Sequence, residues 1–226
     1  MEQGLLSKLI NNLSTMPIWV KELITAALSN KVDEFTSTLS YKPILTYKGL
    51  IELTKKTLGF DNNIYGILEA AQKDNTISDI TLTKYFTLEE TLKLILFCIE
   101  QGFIEQPQNK QITNIIKFLT GKSRIGEYLI DKGDITEYQL QKALEIQQTN
   151  NKRIGKIFVT NGYLTEENLS RIIAIKNETK HRYIFDKNKF LLNNLPSGNK
   201  SNTASDLEYE NKLLKDKLDY LLSIIK

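Results

Sequence analysis

Apolar residues recur every three or four positions along most of the first 120 residues, which is the spacing of amphipathic helices. This pattern predicts helices near residues 4–13, 17–30, 47–57, 63–73, 88–101 and 111–120. The four prolines, Pro17, Pro43, Pro107 and Pro196, each lie near a proposed boundary. We therefore expect a mainly α-helical chain.

Residues 63–104 follow the order helix, turn, helix and longer helix, and then come Gly102 and a short apolar tail. This order suits a winged-helix-like module, although any three-helix bundle would show it. The longest helix offers Glu89, Glu90 and Glu100 where a DNA-binding helix would carry Arg or Lys. We therefore expect an interaction or core-building role for this module, and DNA binding is the disfavoured alternative.

A tandem repeat follows, in which equivalent positions lie 29 residues apart. RIGEYLIDKGDITEYQLQKALEIQ occupies 124–147, and RIGKIFVTNGYLTEENLSRIIAIK occupies 153–176 after the spacer QTNNK. Eight of the 24 aligned positions are identical, among them an arginine and two glycines. Helix composition alone does not account for this agreement.

Each copy has the pattern of a short helix, a glycine and a longer helix. The short helices are predicted at 125–132 and 154–161, and a following glycine can take the positive φ of a C-terminal cap. Thr136 is the expected N-cap of the next helix, with Gln139 completing a capping box. Thr165 repeats that cap, with Asn168 as a weaker partner.

The repeated Arg-Ile-Gly places two unfavourable residues at a helix start. A cation there opposes the helix dipole, and a glycine costs roughly 1 kcal/mol of helix propensity. The same choice in both copies suggests a compensating function. Free amides, a glycine that permits close approach and an arginine can bind an anion, and arginine also pairs with guanine O6 and N7.

The longer helix supplies a complementary face. Leu140, Leu144 and Gln147 lie at i, i+4 and i+7, and the second copy has Leu169, Ile173 and Lys176 at the same positions. Two similar half-sites would suit a ligand that is itself two-fold repetitive, such as a symmetric dinucleotide.

These motifs resemble the MshEN domain, the cyclic-di-GMP-binding N-terminal domain of type II secretion and type IV pilus assembly ATPases. The resemblance covers about 53 residues, roughly a quarter of the chain. It implies that each copy binds half of cyclic di-GMP through the arginine, its apolar neighbour, the glycine and the face of the longer helix. Carried over, the ligand-binding residues are Arg124, Ile125, Gly126, Leu140, Leu144 and Gln147 in the first half-site, and Arg153, Ile154, Gly155, Leu169, Ile173 and Lys176 in the second.

Two departures from the family pattern affect the second half-site most. Isoleucine replaces the usual leucine after both arginines, and Lys176 stands where a second glutamine is expected. Lysine donates hydrogen bonds but cannot accept them, so this half-site is expected to be weaker or to use its cation on phosphate. Some family members only dock secretion proteins, so a ligand-free adaptor is the alternative. The family also implies a protein partner in secretion, pilus or motility machinery.

Catalytic residues are not apparent in the sequence. TGKS at 120–123 is similar to the end of a Walker A loop, but Ile116 stands at the required earlier glycine. His181 and Cys98 are the single histidine and cysteine, and together they cannot make a zinc cluster. We expect neither an enzyme nor a cofactor or metal besides the dinucleotide.

Composition adds little about partners. Thirty basic and 27 acidic residues spread along the chain give a net charge of +3, so no concentrated field for duplex nucleic acid or anionic lipid is apparent. Cys98, in the apolar run LKLILFC, is expected to be a buried small hydrophobe. No signal peptide or membrane span is recognised, so we expect a cytoplasmic protein.

These features divide the chain into a helical module at 1–108, the tandem-repeat domain at 109–182, a linker at 183–206 and an amphipathic helix at 207–226. In the last segment, Leu207, Leu214 and Leu221 recur every seven residues, and Asn211, Leu218 and Ile225 follow each by four. This spacing predicts a short coiled coil that dimerises the chain. The alternative is a terminal amphipathic helix that docks on the body of the protein.

Overall fold

A computed structural model describes residues 18–29, 33–84 and 86–181. Within these ranges the chain is predominantly helical, as predicted, and its β-type pairing consists of an isolated antiparallel bridge between Leu45 and Ile104. The helices are α1 (Ile18–Ser29), α2 (Glu34–Leu39), α3 (Tyr47–Lys55), α4 (Asn62–Gln72), α5 (Ile77–Thr83), α6 (Leu88–Glu100), α7 (Lys110–Leu119), α8 (Ile125–Lys132), α9 (Glu137–Asn150), α10 (Ile154–Thr160) and α11 (Glu166–Glu178).

The predicted helices at 17–30, 47–57, 63–73, 88–101 and 111–120 correspond to α1, α3, α4, α6 and α7. The helix proposed at 4–13, the linker at 183–206 and the coiled coil at 207–226 lie outside the described residues. The apolar pattern did not predict α2, because six residues are too few to show a helical period. A capping box begins this helix: the Asp33 carboxylate accepts from the Thr36 amide at 2.8 Å, and the Thr36 hydroxyl accepts from the Asp33 amide at 3.0 Å.

Helices α4, α5 and α6 follow one another in the order expected for the module at 63–104. The buried face of α6 includes Leu92 and Ile95, both fully buried. After Gly102 the chain pairs through Ile104 with Leu45, and in the described residues it forms this bridge where a winged helix would have a β-hairpin. The apolar face of α6 therefore serves the core.

Helix α3 lies unusually close to the end of α6. A Cβ atom built on Gly49 would be 2.1 Å from the carbonyl oxygen of Phe103, so any larger residue would push the two segments apart. On the opposite side of α3, Tyr47 and Leu50 are exposed. Glycine at this position is what lets α3 pack here.

One continuous apolar core extends from Trp19 to Ile175 and includes residues on both sides of position 108. Helix α2 packs on α7, α6 packs on α7, and α11 packs on α1. The N-terminal helices and the tandem repeat therefore share a core. The domain boundary expected between residues 108 and 109 remains a prediction.

A buried carboxylate holds the loop between α3 and α4. Glu52, 3% exposed, accepts hydrogen bonds from the Thr57 hydroxyl at 2.6 Å, the Leu58 amide at 3.0 Å and the Tyr65 hydroxyl at 2.8 Å. Desolvation raises the pKa of Glu52, but these hydrogen bonds outweigh it and hold the pKa below its ordinary value. The carboxylate is therefore a structural acceptor in its ionised form.

Cys98 is fully buried, as predicted, and its burial raises the pKa of the thiol to about 12. Across the described ranges, no helix combines the length and the apolar character needed to cross a bilayer. The same ranges contain no group of three or more histidine, cysteine or acidic side chains placed to hold a metal ion.

Candidate functional site

The two sequence copies fold as the same helix pair, α8 with α9 and α10 with α11. Gly133 ends α8 with φ 86°, and Gly162 follows α10 with φ 70°, so both glycines adopt the left-handed conformation predicted for them. Thr136 caps α9 and forms the predicted capping box, with the Thr136 amide donating to the Gln139 side chain at 2.7 Å. Thr165 caps α11 by accepting from the Asn168 amide at 3.2 Å.

The glycine of each Arg-Ile-Gly lies directly beneath a leucine of the following helix. A Cβ on Gly126 would be 2.5 Å from Cδ1 of Leu140, and a Cβ on Gly155 would be 2.9 Å from Cδ1 of Leu169. Real Cβ atoms do not approach this closely, so a larger residue at either position would require the leucine side chain above it to shift. The repeated glycine and leucine therefore have a packing role in both copies.

Both arginines are exposed at the N-cap of their helix and have extended backbones. Neither the Arg124 nor the Arg153 guanidinium forms a hydrogen bond or an ion pair with any described residue. The backbone amide of Arg124 donates to the Glu127 carboxylate at 2.6 Å. The equivalent residue in the second copy is Lys156, which cannot accept, so the two helix starts differ in local charge.

The apolar residues predicted for the two half-sites differ in how deeply they are buried. Ile125 and Ile154 are partly buried against the core, and Leu140 is also partly buried. Leu169 is 4% exposed and belongs to the core, whereas Ile173 is 44% exposed. Leu144 is partly exposed at the position equivalent to Ile173. Among the predicted apolar residues, Leu144 on α9 and Ile173 on α11 are therefore the accessible ones at the second position of each longer helix.

Gln147 forms hydrogen bonds with the turn that connects α9 to α10. Its side-chain amide donates to the Lys152 carbonyl at 3.0 Å, and its main-chain carbonyl accepts from the Asn151 amide at 3.1 Å. Asn151 has φ 52°, so the chain turns here immediately before Arg153. The side-chain oxygen of Gln147 accepts no hydrogen bond from a described residue and remains available to a donor.

Lys176, the counterpart of Gln147, points toward the protein. Its Nζ lies 4.2 Å from the centre of the Phe118 ring on α7. Desolvation and the nearby Lys180 lower the pKa of Lys176, and Glu89 partly opposes this effect. The two repeat units are therefore unequal, because the side chain of Lys176 contacts Phe118 within the fold.

Sequence reasoning missed the residues that join the repeat to the N-terminal helices. On α11, the Arg171 guanidinium lies 2.7 Å from a Glu22 carboxylate oxygen and 2.5 Å from one of Asp33. Glu22 lies on α1, and Asp33 is the N-cap of α2. These partners are 149 and 138 residues away in the sequence, so no local pattern could reveal them.

A second set of contacts lies beside the first. Lys132 at the end of α8 is 3.2 Å from Glu34 and 2.9 Å from Asp134. The Tyr128 hydroxyl donates to Glu34 at 3.3 Å, and the Tyr128 ring stacks on Phe118 at 4.4 Å between centroids. Burial, with Glu34 adding to it, raises the pKa of Tyr128. Phe118 therefore contacts both Tyr128 on α8 and the Lys176 ammonium group on α11.

No protein-family model matches this chain, and neither the curated proteins nor the solved structures searched contain a match.

Proposed function

We propose that this chain is a cyclic-di-GMP receptor in which each repeat unit binds half of the dinucleotide and signals through protein interaction. The observation that carries the proposal is the repeated placement of an exposed arginine whose guanidinium pairs with no described residue. Arg124 and Arg153 occupy the same position in the same helix pair. An unpaired guanidinium at an N-cap gains nothing from the helix dipole, so its repetition is most simply explained by an external acceptor.

The chemistry of guanine and phosphate fits these groups. A guanidinium can donate two parallel hydrogen bonds to guanine O6 and N7 or to a phosphate, and one good bidentate pair discriminates by about 1–3 kcal/mol. Leu144 and Ile173 are the accessible apolar residues against which a base can pack. In the first unit, Gln147 adds a side-chain oxygen that accepts no hydrogen bond from a described residue.

The inequality of the half-sites gives the proposal an internal test. In the first unit the terminal Gln147 side chain is partly exposed, whereas in the second the ammonium of its counterpart Lys176 lies over Phe118. Removal of the Arg124 side chain should therefore weaken binding more than removal of the Arg153 side chain.

Calorimetric titration of the full chain with cyclic di-GMP, together with a thermal-shift assay, tests this function. We expect saturable heat with the wild type, a weaker signal with Arg153→Ala and the weakest with Arg124→Ala. Lys117→Ala is the matched control, because Lys117 is an exposed cation on α7 outside both half-sites. Absence of heat and of any thermal shift at high nucleotide concentration would refute the proposal, and equal binding of cyclic di-AMP would refute guanine recognition.

A ligand-free docking adaptor is the second candidate function. The observation that favours it is that packing alone explains Gly126 and Gly155, which lie against Leu140 and Leu169. In this case, the double variant Arg124→Ala with Arg153→Ala keeps its protein partner, and the nucleotide has no effect on that complex.

In either form we propose a cytoplasmic, non-catalytic protein whose partner belongs to secretion, pilus or motility machinery. The proposal includes no cofactor other than the bound dinucleotide. Pull-down from a bacterial lysate with and without cyclic di-GMP would identify a partner and show whether the nucleotide alters its capture.

A further inference from the structure

We infer that Arg171 is a positioning residue that couples the second half-site to the N-terminal helices α1 and α2. This inference rests on the proposed function, since it concerns how occupancy of that site is transmitted. Helix α11 has two different faces. One face carries Ile173 toward solvent, and the other carries Arg171 and the buried Ile172 and Ile175 toward the N-terminal helices.

Arg171 joins three helices through one guanidinium. Nε and Nη2 donate to the two oxygens of the Glu22 carboxylate at 3.2 and 2.7 Å, and Nη2 also reaches Asp33. Since Asp33 also caps α2, its carboxylate ties the start of that helix to α11. A rotation or shift of α11 would therefore pull on both α1 and α2.

The resting position of α11 conflicts with full use of the second half-site. Lys176 would have to leave Phe118 to meet a ligand on the face of Leu169 and Ile173. Phe118 stacks on Tyr128, and the Tyr128 hydroxyl donates to Glu34 on α2. Withdrawal of Lys176 thus disturbs the same junction that Arg171 holds, and ligand binding loosens α1 and α2.

The first repeat unit offers a natural comparison. The position equivalent to Arg171 is Lys142, which is exposed and forms no hydrogen bond or ion pair with a described residue. The link through the longer helix is therefore specific to the second unit, whereas the first unit contacts α2 through Lys132 and Tyr128 of α8.

Thermodynamic coupling between two sites is reciprocal. If nucleotide binding weakens the contacts of Arg171 with α1 and α2, then a substitution that weakens those contacts should tighten nucleotide binding by the same factor. The ion pairs of Arg171 are partly exposed, which limits their strength. We therefore expect an effect at the lower end of the usual range for allosteric coupling, about five-fold in Kd.

The experiment combines titration with hydrogen exchange on the full chain, using cyclic di-GMP as the probe. Arg171→Ala and Asp33→Asn should each lower Kd about five-fold, whereas Lys142→Ala should leave it unchanged. Asparagine keeps the capping acceptor at position 33 and removes only the charge, so Asp33→Asn decides the matter should Arg171→Ala fail to fold. In the wild type, the nucleotide should speed amide exchange in α1 and α2.

The outcomes separate the two proposals. Binding that is equally tight in the wild type, Arg171→Ala and Asp33→Asn overturns the coupling and leaves the receptor function standing. Slower exchange in α1 and α2 on nucleotide addition also overturns it, because a purely stabilising ligand would have this effect. Absence of binding by the wild type and all variants overturns the receptor function and the coupling together.

Discussion

Gly126→Ala tests most directly whether the repeated glycine exists for packing. The added Cβ would lie 2.5 Å from Cδ1 and 3.2 Å from Cδ2 of Leu140. Because Leu140 is only partly buried, its side chain can move, but it must then give up its place against α8. The substitution therefore replaces a close helix contact with either a clash or a displaced leucine.

The expected change in the free energy of unfolding of Gly126→Ala is the sum of two opposing contributions. Overpacking of this kind costs about 1–3 kcal/mol, and alanine in place of glycine in a helix returns about 1 kcal/mol. The net result should be a fall of about 1 kcal/mol in the free energy of unfolding. Gly66→Ala is the matched control, since a Cβ there would have an ordinary 3.6 Å contact with the Lys84 side chain. It should raise the free energy of unfolding by up to about 1 kcal/mol.

Urea denaturation of both variants measures this difference, which should be about 2 kcal/mol with unchanged slopes. Combining Gly126→Ala with Leu140→Ala should cost less than the sum of the single changes, because the shortened side chain leaves room for the new methyl group. A packing role for this glycine would be refuted if Gly126→Ala were as stable as the wild type or more stable. Strictly additive losses in the double variant would also refute it.

Two further predictions concern titratable groups in the core. Burial raises the pKa of the Cys98 thiol to about 12. A thiolate-specific reagent at about pH 8 should therefore label the chain only after unfolding. Rapid labelling of the native protein would contradict the buried position. Hydrogen bonds hold the pKa of Glu52 below its ordinary value, so its contribution to stability is present at neutral pH and is lost as the pH falls through the folded-state pKa. Glu52→Gln should therefore have a lower melting temperature than the wild type at pH 7, and this difference should shrink as the pH is lowered below the ordinary carboxyl range, where the wild-type carboxylate becomes protonated. A difference in melting temperature that does not change with pH would argue against an ionised acceptor.

The repeated glycine shows how a correct sequence signal can have an unforeseen cause. Two identical departures from helix propensity at Gly126 and Gly155 indicate a constraint, and the sequence alone predicts that this constraint is the close approach of a ligand. In the structure, the atoms that approach are the methyl carbons of Leu140 and Leu169. The arginines beside these glycines have no such internal explanation, and they carry the functional proposal.

Local sequence determined most of the secondary structure. Helix starts and ends depend on side chains within about four residues of the boundary, so the caps at Thr136 and Thr165 and the left-handed Gly133 and Gly162 could be predicted without a fold. The six-residue α2 escaped prediction because its Asp33–Thr36 cap is local but its apolar pattern is too short to recognise.

The sequence by itself therefore determined a helical protein with a duplicated helix pair and the positions of its two exposed arginines. Only the tertiary structure decided that Arg171 meets Glu22 and Asp33, that Lys176 lies over Phe118, and that one core extends across position 108. These contacts join residues that are far apart in the chain, and they arise from how whole helices pack. Periodicity and capping are set within one or two helical turns, whereas such pairings are chosen by the packing of the core.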